Sequence, residues 1–241
     1  AARKDNMGEQ KIWDFIFPRR CPICDEIAPA GELICTECQK EVTVISEPTC
    51  KRCGKSVENE RIEFCYDCAK KHHEFIQGKA VFLYQKGIKQ SLYRFKYSNK
   101  REYAAYYARE AVKEYGDWLL RRKVEAIIPI PMYRGKQRLR GYNQAEVFAR
   151  EIGKQMQLPV LHNTVIRIRN TVPQKQLNDV ERKNNLKKAF KIRDNIVKYK
   201  IIVLIDDIYT TGSTMDAVSK ELKKAGVEEI YFLCISIGAG C

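Results

Sequence analysis

The sequence predicts an α/β protein in which helices flank a parallel sheet and a small cysteine-rich unit precedes that sheet. Two observations predict this fold class. Residues 201–205 are five consecutive apolar residues, mostly β-branched, which is typical of a strand buried on both faces of a parallel sheet. Eight of the ten cysteines lie between Cys21 and Cys68. With 241 residues and a hydrophobic share of 44%, the chain is long enough for one large domain or two smaller ones.

The strand at 201–205 leads into a loop and then a helix. Asp206 and Asp207 stop the apolar run where the strand would leave the carboxyl edge of the sheet, and Met215–Ala225 has the pattern of an amphipathic helix. Thr210–Thr214 lies between them, close to a helix N-terminus whose N–H groups and partial positive charge favour phosphate. The two carboxylates would bind a divalent cation or ribose hydroxyls. An ordinary turn with aspartate and threonine as capping residues is the alternative interpretation.

This pattern of an apolar run, two acids, two bulky residues and Thr-Thr-Gly-Ser-Thr resembles the motif with which type I phosphoribosyltransferases bind 5-phosphoribosyl 1-pyrophosphate (PRPP). The resemblance implies a type I phosphoribosyltransferase-like sheet. It also implies that Asp206 and Asp207 contact the ribose and the Mg²⁺ of PRPP or of another ribose phosphate. The residues that it implies for the 5′-phosphate are Thr210, Thr211, Gly212, Ser213 and Thr214.

The clustered cysteines form four C-x-x-C pairs, which are Cys21/Cys24, Cys35/Cys38, Cys50/Cys53 and Cys65/Cys68. One such turn presents two thiolates to a tetrahedral ion, and a second turn completes a four-cysteine zinc site. The gaps between the paired turns are ten and then eleven residues, a tandem repeat that predicts two sequentially paired zinc ribbons. A crossed pairing and iron–sulfur ligation are the alternatives. A disulfide framework is disfavoured, because nothing indicates export and cytosolic thiols stay reduced.

These motifs set the expected boundaries of the chain. They are an N-terminal extension at 1–20, the zinc ribbons at 21–68, a linker at 69–78 and the phosphoribosyltransferase-like domain at 79–241. His72 and His73 lie in the linker. We expect both to be solvated, because the cysteines already complete two metal sites.

The first half of the second domain begins with a predicted strand at Lys79–Gln85, followed by helical segments at 91–97 and 101–123. The second segment carries aromatic and small residues at helical spacing, namely Tyr103, Tyr106, Tyr107, Ala111 and Tyr115. We interpret them as the face of a helix that packs on the sheet. A base-stacking platform is the alternative.

A second apolar run, Val124–Ile130, precedes a cationic loop at 132–144, and an amphipathic helix is predicted over Gln144–Met156. The cations in the loop, which no acidic residue opposes, are Arg134, Lys136, Arg138 and Arg140. They predict a second anion site, with a solvated charged loop as the alternative. Because α/β sheets bind ligands at the carboxyl ends of their strands, we expect this loop and the Asp206 loop to face one ligand.

The motifs together resemble the ComF family of competence proteins, a phosphoribosyltransferase-like branch linked to DNA uptake in naturally transformable bacteria. The resemblance runs from Cys21 to Ile237 and rests on the C-x-x-C pairs, Phe-Lys-Tyr at 95–97, Ile-Pro-Ile-Pro at 128–131, Arg-Leu-Arg-Gly-Tyr-Asn-Gln-Ala-Glu at 138–146, the stretch at 169–190 and the two aspartates. It implies a cytosolic competence protein that binds single-stranded DNA and carries a ribose-phosphate site. It also implies a DNA helicase or translocase of the uptake machinery as a partner.

In the phosphoribosyltransferase pattern the cationic loop corresponds to the pyrophosphate loop, here Arg134, Arg138, Arg140 and Gly141. It lacks the small-residue turn that is usual in active transferases. Two other functions stay open. One is an active Mg²⁺-dependent phosphoribosyltransferase that releases pyrophosphate, for which no recognisable nucleobase pocket or general base names the acceptor. The other is a regulator that senses PRPP or a nucleotide without catalysis.

The net charge of +14 favours a polyanionic partner, and it stays strongly positive when two four-thiolate zinc sites are occupied. The excess is local, because Val165–Lys200 holds eleven Lys and Arg residues against three acidic ones. Clustered cations near an anion site suggest nucleic acid, and an inert basic surface is the alternative. The predicted DNA-binding residues are Arg134, Lys136, Arg138, Arg140, Tyr142, Arg167, Arg169, Lys175, Arg182, Lys183, Lys187 and Lys188. Tyr142 is the first candidate for base stacking, with Tyr93 and Tyr97 behind it.

The cytoplasm is the expected location. No apolar run approaches the roughly 18 residues that a membrane span needs. The first residues also lack the apolar segment of a signal peptide. We therefore expect no direct insertion into a membrane.

Overall fold

The computed structural model describes residues 18–169, 189–194, 196 and 198–238. The helices and strands along this part of the chain are α1 (Thr36–Glu41), α2 (Tyr66–Lys70), β1 (Gln77–Leu83), α3 (Lys86–Tyr97), α4 (Tyr103–Arg121), β2 (Ala126–Pro129), α5 (Arg134–Arg140), α6 (Gln144–Met156), β3 (Val165–Arg167), β4 (Phe190–Ile192), β5 (Ile201–Tyr209), α7 (Ser213–Lys224) and β6 (Glu229–Ile237). The strands β1, β6, β5 and β2 form a parallel sheet in that order. The strands β3 and β4 pair antiparallel in a separate small sheet. The predicted parallel sheet with flanking helices is thus confirmed.

Strand β5 lies inside the sheet, and its apolar run is buried as predicted, with Ile202–Ile205 fully inaccessible. The strand does not stop at Asp206, however. It continues to Tyr209 because β6 runs beside it to Ile237 and keeps pairing with it. On its other side, β2 ends at Pro129, opposite Ile205. Asp206 is therefore the first β5 residue without a β2 partner, and the sheet edge is open on that side.

The predicted helices α4 and α6 pack on the sheet through their apolar residues. Tyr103, Tyr106 and Tyr107 are buried in the apolar cluster that also contains Phe82 of β1 and Phe148 of α6. The packing interpretation of these tyrosines is confirmed, and the alternative of a base-stacking platform on α4 is wrong.

The predicted cationic loop at 132–144 contains a helix, α5, which is a correction to the sequence analysis. Between Gly135 and Gly141 the chain has only Lys, Gln, Arg and Leu, all good helix formers. Gly141 ends the helix with a left-handed φ of 84°, and its N–H donates to the Gln137 carbonyl at 2.8 Å.

The cysteine-rich region docks on the outer edge of β1. Val44 forms an antiparallel bridge with Phe82, and the Ile45 N–H donates to the Val81 carbonyl at 2.9 Å. Farther along, the Gly78 N–H donates to the Arg52 carbonyl at 2.8 Å. These bonds satisfy backbone groups that an edge strand would otherwise leave open.

The first ribbon also contacts the helices. The Asp25 carboxylate accepts a hydrogen bond from the Tyr103 hydroxyl at 2.5 Å and forms an ion pair with the Lys100 ammonium at 2.9 Å. Hydrogen bonds from Tyr103 and Lys100 outweigh burial and hold the pKa of Asp25 below its usual range. Cys21 and Cys38 belong to the same apolar cluster as the α4 tyrosines. The ribbon therefore shares its core with the sheet and helices.

The connection between the ribbons and the sheet differs from the predicted linker. Helix α2 ends at Lys70 and β1 begins at Gln77, two residues before the predicted strand. His72 is exposed, but His73 is only 2% exposed, so the expectation that it is solvated is wrong. The reason is packing: the His73 ring stacks on Phe75 with ring centroids 4.6 Å apart, and its Nδ1 lies 3.0 Å from an Asp216 carboxylate oxygen.

Among the helices that the structure describes, none combines the length and the apolar character needed to traverse a bilayer.

Candidate metal centres and anion site

Eight cysteine sulfurs form two separate clusters in the structure. The first contains Cys21, Cys24, Cys35 and Cys38, and the second contains Cys50, Cys53, Cys65 and Cys68, with the sulfurs of each cluster within 4.8 Å of one another. The Cys24 and Cys35 sulfurs are 3.8 Å apart, and the Cys53 and Cys65 sulfurs are 3.6 Å apart. A tetrahedral zinc with Zn–S bonds of about 2.3 Å separates its sulfurs by about 3.8 Å. Both clusters thus fit zinc, and the pairing is sequential as predicted.

The two ribbons repeat the same local structure. In each, a tight turn closes the first C-x-x-C pair, with the Asp25 N–H donating to the Cys21 carbonyl and the Gly54 N–H donating to the Cys50 carbonyl, both at 2.9 Å. In each, a short helix begins directly after the third cysteine. The sulfurs of the second cluster also influence one another. Hydrogen bonds from Cys53, Cys65 and Cys68 lower the pKa of the Cys50 thiol, whereas contacts with Cys50 raise the pKa values of the Cys53 and Cys68 thiols. A metal ion binds the thiolate form of each.

The predicted phosphate cradle lies between β5 and α7. Gly212 has a φ of 74°, and a Cβ there would lie 2.6 Å from the Tyr209 hydroxyl and 3.0 Å from the His73 ring. Only glycine fits this position, and α7 begins at the next residue. The first turn of a helix has N–H groups without intrahelical partners, so the loop can bind a phosphate. The Thr211 and Ser213 hydroxyls, 3.0 Å apart, add two short polar groups.

The two aspartates meet at the open end of β5. Asp206 accepts a hydrogen bond from the Asp207 N–H at 2.8 Å. Burial and the negative charge of Asp207 raise the pKa of Asp206 to about 7, although Lys96 and Arg167 oppose the rise. Asp206 lacks enough neighbouring positive charge to balance its buried carboxylate, so a cation bound to the two aspartates would be stabilised by both negative charges. Oxygen ligands of this kind suit Mg²⁺, so the residues present fit the metal that the motif implies.

Lys96 is a residue of this site that the sequence analysis missed. Its ammonium lies 2.9 Å from an Asp207 carboxylate oxygen. Burial alone would lower the pKa of Lys96, but the charges of Asp207 and Asp206 outweigh it and raise the pKa. The signal was present in the Phe-Lys-Tyr motif, yet nothing in the sequence placed that motif beside the aspartates.

Electrostatic interactions link Lys136 to Arg140 and Arg167, and link Arg167 to Asp206. Partial desolvation and the positive charges of Arg167 and Arg140 lower the pKa of Lys136, and Arg167 in turn acts on Asp206. Arg140 is half-buried and donates to the Gln144 side-chain oxygen at 2.6 Å. Of the predicted pyrophosphate residues, Arg140 thus lies beside Lys96 at this edge of the sheet.

The other predicted residues are more scattered. Arg134, Arg138, Gly141 and Arg169 are exposed. The predicted DNA-binding residues Lys175, Arg182, Lys183, Lys187 and Lys188 lie outside the described residues.

Tyr142 is not the exposed stacking residue that the sequence suggested, which is a correction. It is 5% exposed, its hydroxyl donates to the Phe95 carbonyl, and the Arg101 guanidinium lies 4.6 Å from its ring centroid. The ring therefore belongs to the core and holds the end of α5 against α3. Tyr93 and Tyr97, the second candidates, are 63% and 62% exposed.

A second missed network lies under the cradle, around Asp216 in the first turn of α7. Its carboxylate ion-pairs with Lys71 at 2.9 Å and accepts the Glu74 N–H at 3.0 Å, besides its contact with His73. Burial would raise the pKa of Asp216, but the hydrogen bonds and charges of His73 and Lys71 outweigh it and lower the pKa. The Lys71 ammonium also donates to the Thr211 carbonyl at 3.2 Å. The connection after the second ribbon thus contacts both the cradle and the first turn of α7.

The fold, the two thiolate clusters and the edge site define a phosphoribosyltransferase-like protein with a double zinc ribbon. Residues 12–69 match the family model described as "Double zinc ribbon domain", and residues 143–237 match "Phosphoribosyl transferase domain". The chain belongs to the Competence protein F/ComFC family. It is 34% identical over 222 residues to "Competence protein F" of Haemophilus influenzae, which covers 89% of this chain and 95% of that relative.

Two further relatives, each matched over most of its length, agree with this assignment. The chain is 26% identical to "Competence protein ComFC" of Streptococcus pneumoniae, over 82% of this chain and 84% of the relative. It is 24% identical to "DNA utilization protein YhgH" of Escherichia coli, over 90% of this chain and 96% of the relative. A solved purine phosphoribosyltransferase from Pyrococcus horikoshii aligns with a TM-score of 0.35 at 18% identity, covering 55% of this chain and 73% of that chain.

Proposed function

We propose that this protein handles single-stranded DNA in the cytoplasm during competence and binds PRPP or a related ribose phosphate with Mg²⁺. One observation carries the proposal. The paired carboxylates, the Lys96 ammonium that contacts them and the glycine cradle occupy the same edge of one sheet. The names of the relatives, which refer to competence and DNA utilization, support a DNA-related role for such a site.

The ribose-phosphate part of the proposal rests on three matched contacts. Asp206 and Asp207 would hold Mg²⁺ and the ribose hydroxyls, and bound Mg²⁺ would neutralise the pyrophosphate charge. The N–H groups of Thr210–Thr214 and the start of α7 would hold the 5′-phosphate. Lys136 and Arg140 on α5 would face the pyrophosphate.

The DNA part rests on exposed positive charge beside this edge. Arg134 and Arg138 on α5 and Arg169 after β3 are exposed and can reach phosphates without first breaking a buried contact. Phosphate contacts position a strand and carry no sequence information, so slight sequence preference is expected. A DNA helicase or translocase of the uptake machinery is the proposed partner that exchanges the strand with this protein.

The test is a set of titrations with PRPP–Mg²⁺ and with a single-stranded oligonucleotide, separately and in competition. We expect both to bind, and we expect the double substitution Asp206→Asn/Asp207→Asn to abolish Mg²⁺-dependent PRPP binding. Asp117→Asn, at an exposed aspartate on α4, is the control and should bind PRPP as the wild type does.

The outcomes separate the candidate functions. A wild type without affinity for PRPP, ribose 5-phosphate or nucleotides overturns the ribose-phosphate site. Absence of oligonucleotide binding overturns the DNA role and favours a PRPP-sensing regulator. Pyrophosphate release in the same samples would reveal an active transferase.

A further inference from the structure

Tyr93 and Tyr97 form an exposed pair of aromatic rings on α3. Their ring centroids are 4.9 Å apart, and more than half of each residue is open to solvent. Of the aromatic rings in mutual contact within the described part of the chain, this is the one pair in which both members are exposed. The buried face of α3 is made by Ile88, Leu92 and Phe95, so the sheet does not need the two tyrosines for its core.

The outward face of α3 borders an open pocket of about 1070 Å³. The residues that line it include Lys86, Lys89, Tyr93, Lys96, Tyr97 and, from β5, Ile208. Helix α3 has no acidic residue, so nothing on it repels an anion. Arg94 also belongs to the lining, but its guanidinium donates to the Pro22 carbonyl at 3.4 Å and to the Ile23 carbonyl, and it is committed to the first ribbon.

The tyrosine pair is continuous with the anion site already described. The Arg140 guanidinium lies 4.8 Å from the Tyr97 ring centroid. Lys96, which precedes Tyr97, contacts Asp207. A path of aromatic faces and cations therefore leads from Tyr93 past Tyr97 and Arg140 to the two aspartates.

We propose that Tyr93 and Tyr97 are a base-stacking platform for single-stranded DNA, with Lys86, Lys89 and Arg140 holding the adjacent phosphates. Single-stranded nucleic acid is recognised by this combination, in which aromatic side chains stack on bases and a cationic groove follows the backbone. An acidic peptide would use the cations but not two open ring faces, and an apolar partner would leave the cations buried without partners. The proposal rests on the proposed DNA role and assigns the surface that distinguishes single strands from duplex.

If the platform stacks on bases, the affinity for a single strand should depend on its bases as well as on its phosphates. The experiment compares an oligothymidylate with an oligonucleotide of equal length and charge whose central nucleotides are abasic. For the wild type we expect the abasic strand to bind more weakly, by about 5- to 150-fold per stacked base. Tyr93→Ala/Tyr97→Ala should bind both strands equally, at the affinity of the wild type for the abasic strand. The salt dependence of binding should be unchanged, because the phosphate contacts remain.

Two further variants make the comparison specific. Tyr93→Phe/Tyr97→Phe keeps the rings and should keep the preference for bases. Tyr66→Ala is the matched control, because Tyr66 is 65% exposed and has the Lys70 ammonium 3.9 Å from its ring centroid, but it lies on the second ribbon. It should retain wild-type binding, with the zinc content measured beside it. Tyr93→Ala alone gives the same test at one ring if the double variant does not fold.

The results distinguish this inference from the proposed function. A wild type that binds no single strand overturns the DNA role itself. A wild type that binds both strands equally, or a Tyr93→Ala/Tyr97→Ala variant that still prefers bases, overturns the platform alone. An oligouridylate that binds the wild type more tightly than oligothymidylate overturns DNA as the occupant and assigns the surface to RNA.

Discussion

Asp206→Asn should stabilise the ligand-free protein at alkaline pH, although it removes a residue of the proposed site. Burial and the charge of Asp207 raise the pKa of Asp206 from an ordinary 3.8 to about 7. Between these values the folded protein keeps a proton that the unfolded chain has released. The free energy of unfolding therefore falls as the pH rises, by about 1.4 kcal/mol per pH unit. Between pH 5 and pH 8 this loss is about 3 kcal/mol, and asparagine avoids it.

The measurement is urea unfolding of zinc-loaded, Mg²⁺-free protein at pH 5 and at pH 8. At pH 5 the variant should already be the more stable by roughly 1–2 kcal/mol, because wild-type Asp206 is neutral in the folded protein but ionised in the unfolded chain. At pH 8 the variant should be the more stable by about 4 kcal/mol. Asp117→Asn, at an exposed position on α4, should change little at either pH.

Ligand should reduce this difference in stability at pH 8 without reversing it. Mg²⁺–PRPP at a hundred times its dissociation constant should stabilise the wild type by about 2.7 kcal/mol and leave Asp206→Asn unchanged. A variant that is equally stable or less stable than the wild type at pH 8 would refute the argument that this carboxylate is held in an unfavourable environment.

Three further predictions concern the rest of the molecule. Elemental analysis of reduced, metal-replete protein should find two zinc ions per chain, and one zinc or none would contradict the two-site assignment. Removal of the metal by a chelator should unfold residues 20–70, because so small a module has little apolar core of its own. Asp216→Asn should cost about 1–3 kcal/mol at pH 7. The folded-state pKa of Asp216 is lowered, so its contribution to stability is present above its ordinary pKa of 3.8 and is lost as the pH falls through the folded value. The loss of stability caused by the substitution should therefore vanish in acid. A loss that is constant across the pH range of the unfolding measurements would contradict the His73 and Lys71 contacts. Binding of a single strand through four to six phosphates should make the logarithm of the binding constant fall with the logarithm of the salt concentration, with a slope of roughly −3 to −4. Arg134→Glu/Arg138→Glu should reduce the affinity severely, whereas Lys220→Glu, on the exposed face of α7, should reduce it only slightly. Equal losses of affinity would indicate diffuse binding.

The sequence predicted those features that are determined by residues close together in the chain. The apolar run at 201–205 has only one stable environment, a strand covered on both faces, and the helix at Gln144–Met156 was predicted with its observed ends. The thiolate clusters were equally predictable, because C-x-x-C spacing fixes how two sulfurs meet one ion.

The errors arose where distant segments decide the outcome. Strand β5 passes beyond Asp206 because β6 continues beside it, a pairing that the β5 sequence does not contain. Tyr142 is buried by Phe95 and Arg101, which precede it by more than 40 residues. A tyrosine in a cationic segment suggests stacking on bases only as long as those contacts are unknown.

The contacts of Lys71 and His73 change how the zinc ribbons relate to the ligand site. The sequence suggested a linker between a metal module and a separate phosphate-binding domain. In the structure, this connection begins soon after Cys68 and binds the first turn of α7 through Asp216 and the cradle through the Thr211 carbonyl. The His73 ring also fills the space that a side chain at Gly212 would need. The second zinc cluster therefore fixes one end of the segment that shapes the phosphate cradle, so metal and ligand sites are parts of one packed unit.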